Sequence, residues 1–219
     1  MASSSDKLAT VAAIDTLAQT SLLRPNPRLE HALENSKAKG LPPIAVSPLT
    51  GQFLAIQCQL IGAKNVLEVG TLGAYSTIWM AETGAKVTSL EIDPKHKEVA
   101  LENAKDLDVE VLLGPALETM PRLAQEGRQF DLVFIDADWG EQWEYFDWAV
   151  KLTRKKGLIY VDNVVRELLE SDKLTADKES LVTQVGKDDR VKATLLTSAS
   201  SHKGRADEMF DGVLLAVVQ

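Results

Sequence analysis

A chain of 219 residues with 45% hydrophobic and 26% charged residues has the balance of a folded globular protein, with material for a large core. Its formal net charge of −8, with no dominant basic patch, excludes a partner recognised through a phosphate backbone, so no nucleic acid is expected. The lone cysteine, Cys58, excludes an internal disulfide; among Leu54, Ile56, Leu60 and Ile61 it reads as a buried structural thiol, which suits a reducing compartment.

From the start of the chain, residues 1–7 lack the basic and apolar segments of a secretion signal. Asp6 and Asp15 precede the first arginine, Arg24, and no apolar run has the length of a membrane span. A cytoplasmic protein with no membrane partner is expected. Leu8, Val11, Ala12, Ile14 and Leu17 recur at helical spacing, and Pro25 and Pro27 interrupt before a second helix around Arg28–Lys37. A turn at Gly40 leads to a third helix from Pro48 to Ile61, with Ser47 as its N-cap.

From Asn65 the pattern alternates. Apolar runs at Val66–Val69, Val87–Ile92, Val109–Leu113, Leu132–Ile135 and Leu158–Val161 read as strands. Helical patterns at Thr77–Ala81, Pro94–Ala104, Leu117–Ala124 and Gln142–Leu152 separate them, which is the signature of an α/β fold with a buried, mostly parallel sheet. The acidic run Asp172–Glu179 reads as a solvated helix face or loop. Lys192–Thr197 and Gly212–Val218 are two further strands with only a loop holding His202, Gly204 and Arg205 between them, and so form an antiparallel hairpin at the sheet edge. The chain reads as a single domain, 1–219, with N-terminal helices over 1–63 and the alternating core over 64–219.

Two strands end in acid: Asp136-Ala137-Asp138 follows one, Asp162-Asn163 the next. In a parallel sheet these ends can lie side by side. Two carboxylates and an amide oxygen then converge, a donor set suited to a hard divalent cation. At the other end of the core, Glu68-Val69-Gly70-Thr71-Leu72-Gly73 is a strand, a glycine turn and a helix start, where a backbone can approach a ligand closely. The spacing is not that of the dinucleotide fingerprint, and Glu68 would repel a pyrophosphate. A ligand with a cationic amino-acid head and a ribose tolerates that carboxylate better. Glu91, ending the next strand about twenty residues on, is placed to accept hydrogen bonds from ribose hydroxyls.

Taken in order, Glu68 to Ser76, Leu90 to Pro94, Gly114 to Leu117, Phe130 to Asp138 and Asp162-Asn163 resemble the cation-dependent O-methyltransferase family that includes caffeoyl-CoA and catechol O-methyltransferases. Val46, the Gly51–Leu54 segment and the Phe210–Val217 strand resemble the same family, so the likeness runs from about residue 40 to the end. It implies a Rossmann-like seven-stranded sheet with a reversed last strand, S-adenosylmethionine as methyl donor, and a homodimer. By position, Glu68, Gly70 and Ser76 hold the methionine portion with the Val46 segment nearby. Glu91 binds the ribose, the Ala116 backbone meets the adenine, and Asp136 touches both the donor's amino group and the metal. Asp162 and Asn163 complete the ligands of a Mg²⁺, for which Mn²⁺ or Ca²⁺ could substitute. The implied reaction methylates a hydroxyl of a catechol-type acceptor, such as a flavonoid or another small phenolic.

One departure bears on mechanism. The family's general-base lysine, three residues after the first metal-binding aspartate, is Trp139 here. Asp138 is the nearest alternative base, with His202 a distant one. Trp139 and Trp143 are candidates for a wall against a planar aromatic acceptor, whereas Phe146 and Trp148 read as core. His31 and His96 read as surface residues. Two other functions stay open on the sequence: a methyltransferase-like binding protein of weak catalysis, and an NAD-dependent oxidoreductase on a similar sheet.

Overall fold

The computed structural model describes residues 4–202 and 209–219. Gly204 and Arg205 of the expected last loop therefore lie outside the described residues. Three helices come first: α1 (Ser4–Leu22), α2 (Pro27–Ala38) and α3 (Pro48–Ile61). Asn26 caps α2 through Arg28 and Leu29 N–H, and Ser47 caps α3 through Thr50 N–H, each followed by a proline whose missing donor costs nothing in the first turn.

The core then alternates as β1 (Asn65–Val69), α4 (Tyr75–Ala81), β2 (Lys86–Glu91), α5 (Pro94–Asn103), β3 (Val109–Leu113), α6 (Ala116–Gln125), β4 (Phe130–Ile135), a single 3-10 turn (Trp139–Glu141), α7 (Gln142–Leu152) and β5 (Thr153–Val161). The short helices α8 (Val164–Glu170) and α9 (Leu181–Val185) follow, then β6 (Val191–Ala199) and β7 (Phe210–Val218). The strands form one sheet in the order β3-β2-β1-β4-β5-β7-β6. β1 to β5 are parallel, and β7 runs antiparallel between β5 and the edge strand β6. This is the expected Rossmann-like arrangement with a reversed last strand.

Strands buried on both faces explain why the apolar runs are continuous rather than alternating. Leu54, Ile78 and Phe134 fill one side of the sheet, and Met120, Phe146 and Ile159 the other. The topology reverses direction between β1 and β4, so their C-terminal ends open a crevice at the switch point, where ligands of such sheets bind. Backbone bonds extend the ladder into that crevice: Asp136 N–H donates to the Val69 carbonyl (2.9 Å), and Asp162 N–H to the Ile135 carbonyl (2.9 Å).

The structure adds α8 and α9, which no apolar period announced because each is at most two turns long. The Asp172–Glu179 run is exposed and irregular. Cys58 is buried and free, and burial pushes its thiol up to about 12. No described helix is long and apolar enough to cross a membrane.

Candidate active site

The turn after β1 is built around Gly70. Its φ is +94°, and a Cβ there would lie 2.0 Å from the Asp136 carbonyl oxygen, so only glycine lets the two strand ends approach. Leu72 and Ala74 also have positive φ, 50° and 63°. That costly backbone is held by Glu91: Thr71 N–H (3.2 Å) and Leu72 N–H (2.8 Å) donate to one carboxylate oxygen, and Ile92 and Asp93 N–H (both 2.9 Å) to the other. Glu91 thus fastens two turns together while lining a cleft of about 160 Å³.

Val46, Gly70, Ser76 and Asp136 line the same cleft. Glu68 does not. It is fully buried beneath, where Ser76 (2.5 Å), Ser89 (2.6 Å) and Thr77 all donate to its carboxylate. Burial raises its carboxyl to about 7 despite those three hydroxyls. Its link to a bound ligand therefore runs through Ser76. Ala116 also lies outside the cleft wall; it opens α6 just after Gly114, whose N–H donates to the Glu91 carbonyl (2.8 Å) and brings that turn alongside. His96 corrects the surface reading: its side chain is 23% exposed, it lines the cleft, and its Nδ1 lies 3.6 Å from Glu91 Oε1. The β2 end turns back at Asp93, whose side chain caps α5, and so brings the first turn of that helix over the cleft. His31 is exposed, as expected.

A second cavity, of about 980 Å³, meets the first at Asp136. Asp162 and Asn163 line it, joined by the rings of Phe53, Trp139 and Tyr160. Because Ile135 pairs with Val161 in register, Asp136 and Asp162 leave adjacent strands side by side. Asp162 is half-buried as a residue, but its carboxylate is desolvated. That burial, then the charges of Asp136 and Asp211, holds its carboxyl well above the ordinary range. Among the described residues no three His, Cys, Asp or Glu side chains gather to bind a metal. The set here is two carboxylates and the Asn163 amide, hard oxygen donors whose mutual repulsion a divalent cation would relieve, so these residues fit such an ion.

Trp139 forms part of the cavity wall, whereas Trp143 does not. It stacks on Phe146 (centroids 6.1 Å apart, planes at 21°) and packs against the core, as Trp148 does beneath Lys151. Asp138 is exposed at the cavity rim and accepts from the Tyr145 hydroxyl (2.7 Å), which also contacts Glu141 (2.7 Å). His202 reaches the same cavity, its Nε2 donating to the Ala45 carbonyl (3.1 Å).

Three charged lining residues were given no site role by the sequence. Arg166, one turn into α8, lies over the Trp139 ring (6.0 Å) and pairs with Asp211 (2.6 Å). Asp211 is the second residue of β7 and lies within the Phe210–Val217 segment, which the sequence marked only as a strand. Asp15, from α1, accepts from Ser200 Oγ (2.9 Å), Ser201 Oγ (3.0 Å) and Ser201 N–H, and so ties the N-terminal helix to the loop carrying His202.

The comparisons with known proteins agree with this geometry. The O-methyltransferase family model matches residues 20–201. The chain is 42% identical over 217 residues to a catechol O-methyltransferase of Mycobacterium tuberculosis, covering 94% of this chain and 95% of that one. It is 42% identical over 215 residues to the O-methyltransferase imqG of Aspergillus flavus, covering 90% and 85%. Among solved structures, the O-methyltransferase from Bacillus cereus in complex with SAH superposes with a TM-score of 0.86 at 36% identity, covering 97% of this chain and all of that one (100%). The oxidoreductase alternative is thereby overturned. With two clefts joined at a shared aspartate on a sheet of this order, and relatives aligned along nearly its whole length, the chain belongs to the O-methyltransferase family.

Proposed function

We propose that this protein transfers the methyl group of S-adenosylmethionine to one hydroxyl of a catechol-type aromatic acceptor, with a divalent cation, Mg²⁺ or in its place Mn²⁺ or Ca²⁺, held by Asp136, Asp162 and Asn163. The observation that carries this reading is the position of Asp136, which lines both the small cleft beside Gly70 and the large cavity that holds Asp162 and Asn163. A donor in one and an acceptor in the other would face each other across that residue. The SAH in the Bacillus cereus relative, the demethylated form of such a donor, supports the choice of cofactor, and the catechol O-methyltransferase of Mycobacterium tuberculosis supports the acceptor class.

Gly70, Ser76 and Asp136 would take the amino-acid end of the donor, Glu91 and His96 its ribose side, and the turn at Ala116 its base. A divalent cation chelated by two vicinal hydroxyls lowers their pKa and fixes their orientation. The ring of Trp139, with Phe53 and Tyr160, would hold a planar acceptor so that its oxygen lines up with the methyl and the sulfur. Asp138, at the cavity rim and hydrogen-bonded to Tyr145, is the side chain we assign to receive the acceptor's proton where the family lysine is replaced by Trp139. The protein is proposed to act as a cytoplasmic homodimer.

The direct test is methyl transfer from labelled S-adenosylmethionine to a panel of catechols with Mg²⁺, with and without EDTA. Turnover that EDTA abolishes is expected. Equal turnover in EDTA rejects the metal. Tight donor binding without turnover across the panel favours the second reading, a weakly catalytic binding protein, which the Trp139 substitution supports.

A further inference from the structure

The carboxylate of Asp211 gathers four donors. Its Oδ1 accepts from Gly212 N–H (2.8 Å) and Arg166 N–H (3.3 Å). Its Oδ2 accepts from Asn163 Nδ2 (2.9 Å) and Arg166 Nη2 (2.6 Å). Asn163 is held from the other side as well, since its own N–H donates to Asp162 Oδ1 (3.0 Å) and its backbone takes the left-handed φ of 60° that asparagine tolerates better than most residues.

An amide has one oxygen and one NH₂, and only the oxygen can bind a cation. With the NH₂ committed to Asp211, the oxygen is left on the opposite arm of the amide. We propose that Asp211 is a positioning residue that sets the rotamer of Asn163, presenting Asn163 Oδ1 to the divalent cation. Through Arg166 the same carboxylate also fixes the guanidinium that backs Trp139, so one side chain aligns a metal ligand and the acceptor wall. This rests on the metal reading given above and goes beyond it, because Asp211 itself is no ligand.

The donor pattern dictates what Asp211→Asn does. The two backbone N–H groups facing Oδ1 cannot turn, so the oxygen of the new amide stays with them. Its NH₂ then replaces Oδ2 opposite both Asn163 Nδ2 and Arg166 Nη2. Two NH₂ groups cannot face each other, and the Asn163 amide must rotate by half a turn, withdrawing its oxygen from the cation. Adding Asn163→Asp restores the match: the new carboxylate accepts from the amide at 211 and offers its second oxygen to the metal, with the total charge unchanged.

The measurement is Mn²⁺ affinity, read from the electron paramagnetic resonance signal of the free ion, on the wild type, D211N and the D211N/N163D swap, with S-adenosylmethionine affinity measured in parallel. Loss of a partner that orients a ligand weakens metal binding by about 10- to 100-fold. D211N is expected to fall in that range, the swap to recover most of the loss, and donor affinity to stay within about twofold, because none of these atoms lines the donor cleft. If D211N does not fold, a swap that restores both folding and Mn²⁺ binding carries the same conclusion. D211N that binds Mn²⁺ like the wild type, or a swap that restores neither binding nor fold, overturns the positioning role. Wild-type protein that binds the donor but not Mn²⁺ overturns instead the metal reading beneath it.

Discussion

Glu68 is a fully buried carboxyl met by three hydroxyls, and its ionisation has to be set against folding. Its carboxyl rises from an ordinary 4.5 to about 7 in the folded protein. Below pH 4.5 both states hold the proton and the group is neutral in its effect. Between 4.5 and 7 only the folded state holds it, so stability falls as pH rises, by about 3 kcal/mol in all, and then levels off. Glu68→Gln removes that slope, since the hydroxyls can rotate to meet an amide. Thermal melts of the protein alone should show the variant gaining on the wild type from pH 5 to pH 8; parallel melting curves across that range would reject the assignment. Gly70→Ala acts in the opposite direction, pushing a methyl into the Asp136 carbonyl at a positive φ. A loss of about 1–3 kcal/mol is expected from the backbone alone, with donor binding weakened at least tenfold, readable by melting and calorimetry. Gly70, Glu91, Asp136, Asp162 and Asn163 were legible in the sequence because each ends a strand and its neighbours in the chain are its neighbours in the site. His96, Arg166 and Asp211 were not. Their roles arise only where α5 turns over the cleft, or where β7 enters beside α8.

The elements followed the same rule. Strands β1, β2, β3 and β4 were readable as apolar runs, whereas β5 begins at Thr153, five residues before its apolar part, because Arg154 and its neighbours meet solvent there and Arg154 pairs with Asp131 (2.5 Å). Trp143 was offered to the acceptor by its place in an aromatic cluster, but the 3.6-residue period of α7 turns it onto Phe146 instead. Helix α1 had the least predictable task. Its one deeply buried described side chain is a charge, Asp15, and all of its described bonds go to Ser200 and Ser201. Asp15→Ala leaves those donors without their carboxylate and loosens the loop that brings His202 to the acceptor cavity. A loss of about 2 kcal/mol follows from hydrogen bonds to a charged group, which lowers Tm by about 4–8 °C in a protein of this size. The expected kinetic signature is a severalfold rise in KM for the acceptor at unchanged donor affinity. A rise in donor Kd of the same size would place α1 at the other cleft.

At the scale of the whole molecule, the proposed homodimer has a physical motive in the same helix. Ile14 and Leu17 of α1 are 57% and 65% exposed, while the face carrying Asp15 is turned to the β6–β7 loop. Leu196 on the edge strand and Phe210 at the start of β7 are 44% and 53% exposed. Apolar side chains of this size stabilise an interface by about 1.5–3 kcal/mol each when covered, and leaving several of them in water on one chain favours a second copy. A net charge of −8 on each chain opposes the pairing, so association should tighten as salt screens the repulsion. Sedimentation velocity at micromolar concentration is expected to give a particle of twice the 23.9 kDa chain mass. Leu17→Glu should return it to the single-chain value with little change in Tm of the separated chain, because that side chain is 65% exposed within its own fold. A wild type that sediments as one chain at every salt concentration rejects the dimer and leaves α1 as a clamp on the acceptor loop alone.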